Sequence, residues 1–156
     1  MKSTEYENLI SQIVKKMTNY SDLIDFGSIN SGKMNKWEGG SGFKHQIDVS
    51  LDNPTDVLLV ECKYWNKNVP IEAILTLWAR IFDISQGPKG KIRRLRGALV
   101  TSKEFQSGVY KFAASKYYQK QLSLFVVRDV DDFVARFHHH FIEAPSFSTR
   151  NLGGQA

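Results

Sequence analysis

The chain lacks most of the features that would take it outside ordinary globular proteins. Cysteine occurs once, at Cys62, so no internal disulfide can form and no cysteine pair offers a zinc site. A lone thiol fits a reducing cytoplasm, which is the expected location. No apolar run approaches the roughly 20 residues needed to span a bilayer. The opening MKSTEYENLI turns amphipathic at once instead of forming the apolar centre of a secretion signal. No membrane partner is therefore expected. Low-complexity tracts, internal repeats and linkers are missing as well, which leaves 156 residues for one domain able to bury its own core. That domain is expected over residues 1–143, with residues 144–156 as a C-terminal tail.

What is present begins with charge. The formal surplus is +5, a modest attraction for polyanions. Its distribution says more. GPKGKIRRLRG gathers Lys89, Lys91, Arg93, Arg94 and Arg96 in one Gly/Pro-punctuated stretch. Such a stretch is either a solvated loop or a loop that contacts phosphates, where each cation would release condensed counterions on binding.

Hydrophobic periodicity gives the element order. Residues 3–19 read as a helix with Tyr6, Leu9, Ile10, Ile13, Val14 and Met17 in one stripe, and residues 22–29 as a strand. Asn30 to Gly42 reads as a loop. Residues 44–51 alternate, with His45, Ile47, Val49 and Leu51 on one face and Lys44, Gln46, Asp48 and Ser50 on the other. After a turn at Asp52–Thr55, residues 56–64 form a strand buried on both faces, because Val57 to Val60 are all apolar. A helix over 70–85 follows, with Ile71, Ile74, Leu75, Trp78, Ile81 and Phe82 buried. GALVTS is a strand, residues 105–120 a helix with Val109, Phe112, Ala113 and Tyr117 inward, and LSLFVV a strand. A last helix starts at Asp129 or Asp131 and ends in His138–His140. Three strands in a meander, then strands separated by helices, predict an α/β fold: a mixed central sheet flanked by helices on both faces.

The chemistry concentrates at Glu61-Cys62-Lys63. Strand alternation turns Glu61 and Lys63 to one face and Cys62 to the other. A carboxylate and an ammonium at the end of an apolar strand cost several kcal/mol unless engaged. A structural ion pair would engage them. A short meander would also bring Asp48 near Glu61, so that two carboxylates and one lysine converge. Phosphodiester cleavage calls for that set: a hard cation held by one or two carboxylates, and a lysine to orient water or stabilise developing charge. Asp48 and Glu61 suit the metal, and Lys63 suits the water.

Three other features invite chemistry and carry less. Consecutive His138–His140 on a helix point about 100° apart and cannot share one ion well. Cys62 reads as a small core residue and His45 as a packed core histidine. Trp65 suits either stacking on a base or a place at the core's edge.

QID, twelve residues, then ECK resembles the signature of the PD-(D/E)XK restriction-endonuclease-like superfamily, and the element order is similar to its αβββαβ core. Within it the chain looks most like Mrr-type restriction endonucleases, through Tyr6-Glu7 in the first helix, GGSGFKHQIDV before the Asp, and GALVTSKEFQSGVYKFA after the basic stretch. One departure is Ile47, where the signature has Pro. The resemblance implies a magnesium-dependent endonuclease acting on DNA, with manganese as a substitute, in restriction or defence against foreign DNA. It implies Asp48, Glu61 and the Cys62 backbone carbonyl as metal ligands, and Lys63 as the residue positioning the nucleophilic water. Periodicity does not choose between Glu5 and Glu7, whereas the aromatic-Glu pattern selects Glu7 near the metal. A binding module that kept the fold without catalysis, or a junction-resolving or repair nuclease, fits the same pattern. Cutting both strands commonly takes two active sites, an arrangement that a homodimer would supply.

Overall fold

Eight residues from Asp56 to Lys63 form the strand on which the rest is organised. In the computed structural model, which describes residues 2–19 and 27–127, this strand is β5, and six of its residues are buried. Its apolar run faces two layers at once. Leu58, Val60 and Cys62 join one cluster with Tyr6, Ile10, Ile13 and Val14 of α1 (Ser3–Asn19). Val57 and Leu59 join the other, with Ile74, Leu77, Ile81 and Ile84 of α2 (Ile71–Ser85). A strand flanked by helices on both sides needs apolar residues on both faces, as the run Val57 to Val60 supplies.

The remaining strands are β1 (Ser28–Ser31), β2 (Lys36–Glu38), β3 (Lys44–Gln46), β4 (Val49–Asp52), β6 (Arg94–Thr101) and β7 (Leu122–Val126). Four of them join β5 in a five-stranded mixed sheet of order β1-β4-β5-β6-β7. The first pairs are antiparallel and the pairs β5/β6 and β6/β7 parallel. The parallel steps are crossed by α2 and by α3 (Ser107–Ala114), since parallel neighbours need a long connection. The expected α/β class, mixed sheet and helices on both faces are all present.

Four expectations are corrected. The alternating stretch 44–51 is two strands, because β3 pairs with β2 in a separate two-stranded sheet and only β4 joins the main one. The loop expected from Asn30 to Gly42 therefore holds the end of β1 and all of β2. The helix expected over 105–120 ends at Ala114, where Ser115 leaves helical geometry and its hydroxyl accepts the Tyr117 amide, leaving Tyr117 exposed. In α2 the buried stripe is rotated from the expected one: Leu77 and Ile84 are buried while Leu75 and Phe82 are exposed. The last expected helix with His138–His140, the tail and most of the expected first strand lie outside the described residues.

Candidate active site

Asp48 owes its position to a break in the sheet. The β4/β5 ladder ends at the pair Val49–Val60. One residue earlier the chain turns away, because Asn35 takes both backbone groups of Ile47. The Asn35 carbonyl accepts the Ile47 amide at 3.0 Å, and the Asn35 side-chain amide donates to the Ile47 carbonyl at 3.0 Å. Asn35 is nearly buried and also accepts a bond from Ser50 Oγ. With Ile47 diverted, β5 would have an unpaired amide at Cys62. The Asp48 carboxylate takes it, with Oδ2 2.8 Å from the Cys62 nitrogen. The Asp48 side chain is thereby locked against the Glu61-Cys62-Lys63 segment.

Glu61 is 7% exposed and points to the α2 face, as alternation predicts. Two cations meet it. Arg80 Nη1 of α2 lies 2.8 Å from Oε2, and Lys63 Nζ lies 3.6 Å from Oε1. The Lys63 ammonium also stands 5.7 Å from the centre of the Trp65 ring. Glu7, on α1, accepts from Ser3 Oγ at 3.4 Å and is close enough to Asp48 to act on its charge. The neighbouring Tyr6 is buried and packs its ring 5.2 Å from that of Tyr64, which ties the start of α1 to the end of β5.

Carboxylates crowd here. Burial, and then the Glu61 carboxylate, raise the Asp48 carboxyl from 3.8 to about 7. The Cys62 amide opposes this, Glu7 adds to it, and Lys63 opposes it. Burial and the same carboxylates push the Cys62 thiol well up, which suits a packed core thiol and not a nucleophile.

Among the described residues, no three Asp, Glu, His or Cys side chains gather as a ready metal site. The donors present are nonetheless those of a hard cation that keeps several waters: Asp48, Glu61 and a backbone oxygen. Residues in a strand send their amide and carbonyl to the same side, so the Cys62 carbonyl points to the edge where Asp48 binds its amide. Charge crowding at Asp48 is the second sign of fit, since a cation there would relieve it.

The basic stretch is elsewhere. Arg94 is paired in register with Asp56 at the start of β5, whereas Lys63 ends that strand. Seven residues of strand put roughly 23 Å between them. Arg94 and Arg96 belong to β6 and not to a loop. Arg96 is 3% exposed, so the expectation that it touches phosphate is corrected. Arg93 binds Asp52 at 2.7 Å and Arg94 binds Asp56 at 2.7 Å. Lys89 and Lys91 remain exposed, with Lys89 Nζ 5.5 Å from the Trp37 ring centre. His45 is also corrected: it is half-buried, with its ring edge-on to the exposed Phe43 and its Nε2 2.7 Å from Asp83 Oδ2, a polar clasp outside the core.

Sequence reasoning missed Asn35 and Arg80. Asn35 carried no local signal. Arg80 did carry one, as a cation three residues after Leu77 and four before Ile84, in phase with the stripe that is buried.

No family model and no curated protein matches the chain. Among solved structures it is similar to a crystal structure described as that of a protein of unknown function, AF1548. The TM-score is 0.57 at 13% identity, over 79% of this chain and 58% of that one. The chain thus spans under two thirds of that neighbour's length, and the likeness is one of fold.

Proposed function

We propose that the chain is a metal-dependent nuclease that hydrolyses DNA phosphodiester bonds, with Asp48, Glu61 and Lys63 at its centre. The observation that carries the reading is the Asp48 carboxylate on the Cys62 amide, which sets two carboxylates and an ammonium around one short segment. Magnesium, or manganese in its place, would be held by Asp48, Glu61 and the Cys62 carbonyl, and would supply charge stabilisation at the phosphoryl and leaving oxygens. Glu61 has lone pairs beyond those used by Arg80, so the Arg80 bond does not exhaust it. Lys63 positions the attacking water or faces the developing charge, and Glu7 contributes from the rim, through water. Membership of the PD-(D/E)XK superfamily, with Mrr-type enzymes as the nearest group and restriction or defence as the role, belongs to the same proposal and rests on the sequence resemblance.

A second reading has one observation in its favour. Arg80 and Lys63 together neutralise Glu61 without any metal, as a purely structural cluster in a nucleic-acid-binding module would. Incubation with supercoiled, linear, methylated and single-stranded DNA, with chelator, magnesium or manganese, separates the two. The nuclease reading expects metal-dependent cleavage that falls roughly a hundredfold or more in Lys63→Ala. Uncut DNA in every combination, with DNA still bound, would leave the binding module.

A further inference from the structure

Directly beyond Lys63 the chain forms a cleft that the metal-site residues do not use. It is lined by Tyr64, Trp65, Asn66, Lys67 and Pro70 and has a volume of about 510 Å³. Its walls are fixed from both sides. Tyr64 is anchored through its ring contact with the buried Tyr6. At the other side Val69 is fully buried and tied down twice, its amide donating to the Glu104 carbonyl at 2.9 Å and its carbonyl accepting from the Gln106 amide at 2.9 Å. Trp65 is half-buried against the α2-side core, while Asn66 and Lys67 are exposed.

The lining has the parts that recognise a nucleotide. Aromatic rings offer a stacking face to any base, an amide offers a donor and an acceptor to a base edge, and a lysine offers a charge to a phosphate. Position decides the matter. Lys63 Nζ is 3.6 Å from Glu61 Oε1 and 5.7 Å from the Trp65 ring centre, so one ammonium borders both the carboxylate centre and the aromatic wall. A phosphate at the first would place an adjoining nucleotide at the second. Aromatic stacking of this kind needs a base taken out of its duplex partners, since a paired and stacked base has no free face.

We propose that this cleft binds an unstacked nucleobase flanking the phosphate to be cut, so that the protein prefers single-stranded or locally unpaired nucleic acid to intact duplex. The inference rests on the nuclease reading of Asp48, Glu61 and Lys63. Binding tests it apart from cleavage. The full chain, in chelator, is titrated against an oligonucleotide carrying 2-aminopurine, whose fluorescence reports stacking, as a single strand and as a perfect duplex. The single strand should bind at least tenfold tighter, with a fluorescence change that the duplex does not give. Trp65→Phe, which keeps an aromatic face, should retain most of the preference, and Trp65→Leu should lose roughly tenfold in single-strand affinity. Lys67→Glu, at an exposed position safe for folding, should weaken single-strand binding to a similar degree and carries the test if Trp65→Leu does not fold. Equal affinity for single strand and duplex, or affinity indifferent to Lys67→Glu and to the change from Phe to Leu at position 65, would overturn the proposal. Failure of the nuclease reading looks different: no metal-dependent cleavage of any strand, whatever the binding preference.

Discussion

Asp48→Asn should stabilise the protein above neutral pH in chelator and lose most of that advantage when divalent metal is present. The amide oxygen of Asn can still accept the Cys62 amide, so the variant loses a charge and keeps the 2.8 Å bond. Burial and the Glu61 carboxylate, with Glu7 adding and the Cys62 amide and Lys63 opposing, place the Asp48 carboxyl at about 7 against an ordinary 3.8. A carboxyl raised in the folded state holds its proton more tightly there than in the unfolded chain. Its contribution to stability is full below about pH 4 and is lost as pH rises through about 7. At roughly 1.4 kcal/mol for each step of one, wild-type protein in chelator should lose up to about 4 kcal/mol relative to Asp48→Asn between pH 4 and pH 8. Excess magnesium should then close most of that gap. A ligand that binds only the folded state adds about 2.7 kcal/mol at a hundred times its Kd, and Asp48→Asn should miss that gain. Urea unfolding at about pH 5 and pH 8, in chelator and in magnesium, gives all four comparisons. The reasoning is refuted if Asp48→Asn is no more stable than wild type at pH 8 in chelator, or if magnesium stabilises both proteins equally.

Arg80→Gln removes the 2.8 Å partner of Glu61 and leaves Lys63 at 3.6 Å. Stability in chelator should fall by about 2 kcal/mol, while calorimetric titration should show magnesium binding tightened by the loss of a competing cation. Gly97→Ala in β6 would put a methyl 2.4 Å from Ile81 Cδ1 on α2. Overpacking of that interface should cost about 1–3 kcal/mol in urea unfolding. Asp83, bound by Ser41 Oγ, by His45 and by the Ser41 amide, has its carboxyl lowered from 3.8 to about 2. Its contribution is full above about pH 4 and lost as pH falls through about 2, so Asp83→Asn should lower Tm at pH 7 and close the gap in acid. An equal gap at both pH values would detach this clasp from the charge of Asp83.

The parts of the fold legible in the sequence are those fixed by local pattern alone. β5, β6 and β7 each contain a short apolar run, Val57–Val60, Ala98–Val100 and Leu124–Val126, and such runs have one solution in a sheet covered on both faces. The stretch 44–51 was not legible as two strands, because the competitor for its backbone is Asn35, twelve residues before Ile47. Alternation describes which face a strand shows and is silent on a side chain from elsewhere that takes its ladder bonds. The rotation of α2 was hidden for another reason. ILTLWARIF is apolar almost all round, so Ile74-Trp78-Phe82 and Leu77-Ile81-Ile84 are both acceptable stripes. Gly97 decides between them in the folded protein: without a side chain it lets Ile81 and Leu77 settle onto β6.

That rotation also governs how much of the candidate site could be read. Asp48, Glu61 and Lys63 follow from the strand period and a short turn, which is why they were legible without the helix. Arg80 enters only once Leu77 and Ile84 are known to face the sheet, since it lies between them on the helix surface. Its presence changes the electrostatic account of the site. Glu7, Asp48 and Glu61 bring three negative charges when ionised, and Lys63 and Arg80 bring two positive ones, so the cluster carries one net negative charge. A phosphodiester, itself anionic, is repelled by that balance. Adding a divalent cation, on the nuclease reading, leaves one net positive charge, the sign that draws a single phosphate into a partly desolvated place. Without Arg80 the same addition would only reach neutrality. Arg80 therefore matters to the proposed chemistry as a member of the charge balance as well as a partner of Glu61. An Arg80→Gln variant should bind magnesium more tightly and yet bind DNA in magnesium more weakly. Tighter binding of both would leave Arg80 a structural partner of Glu61 alone.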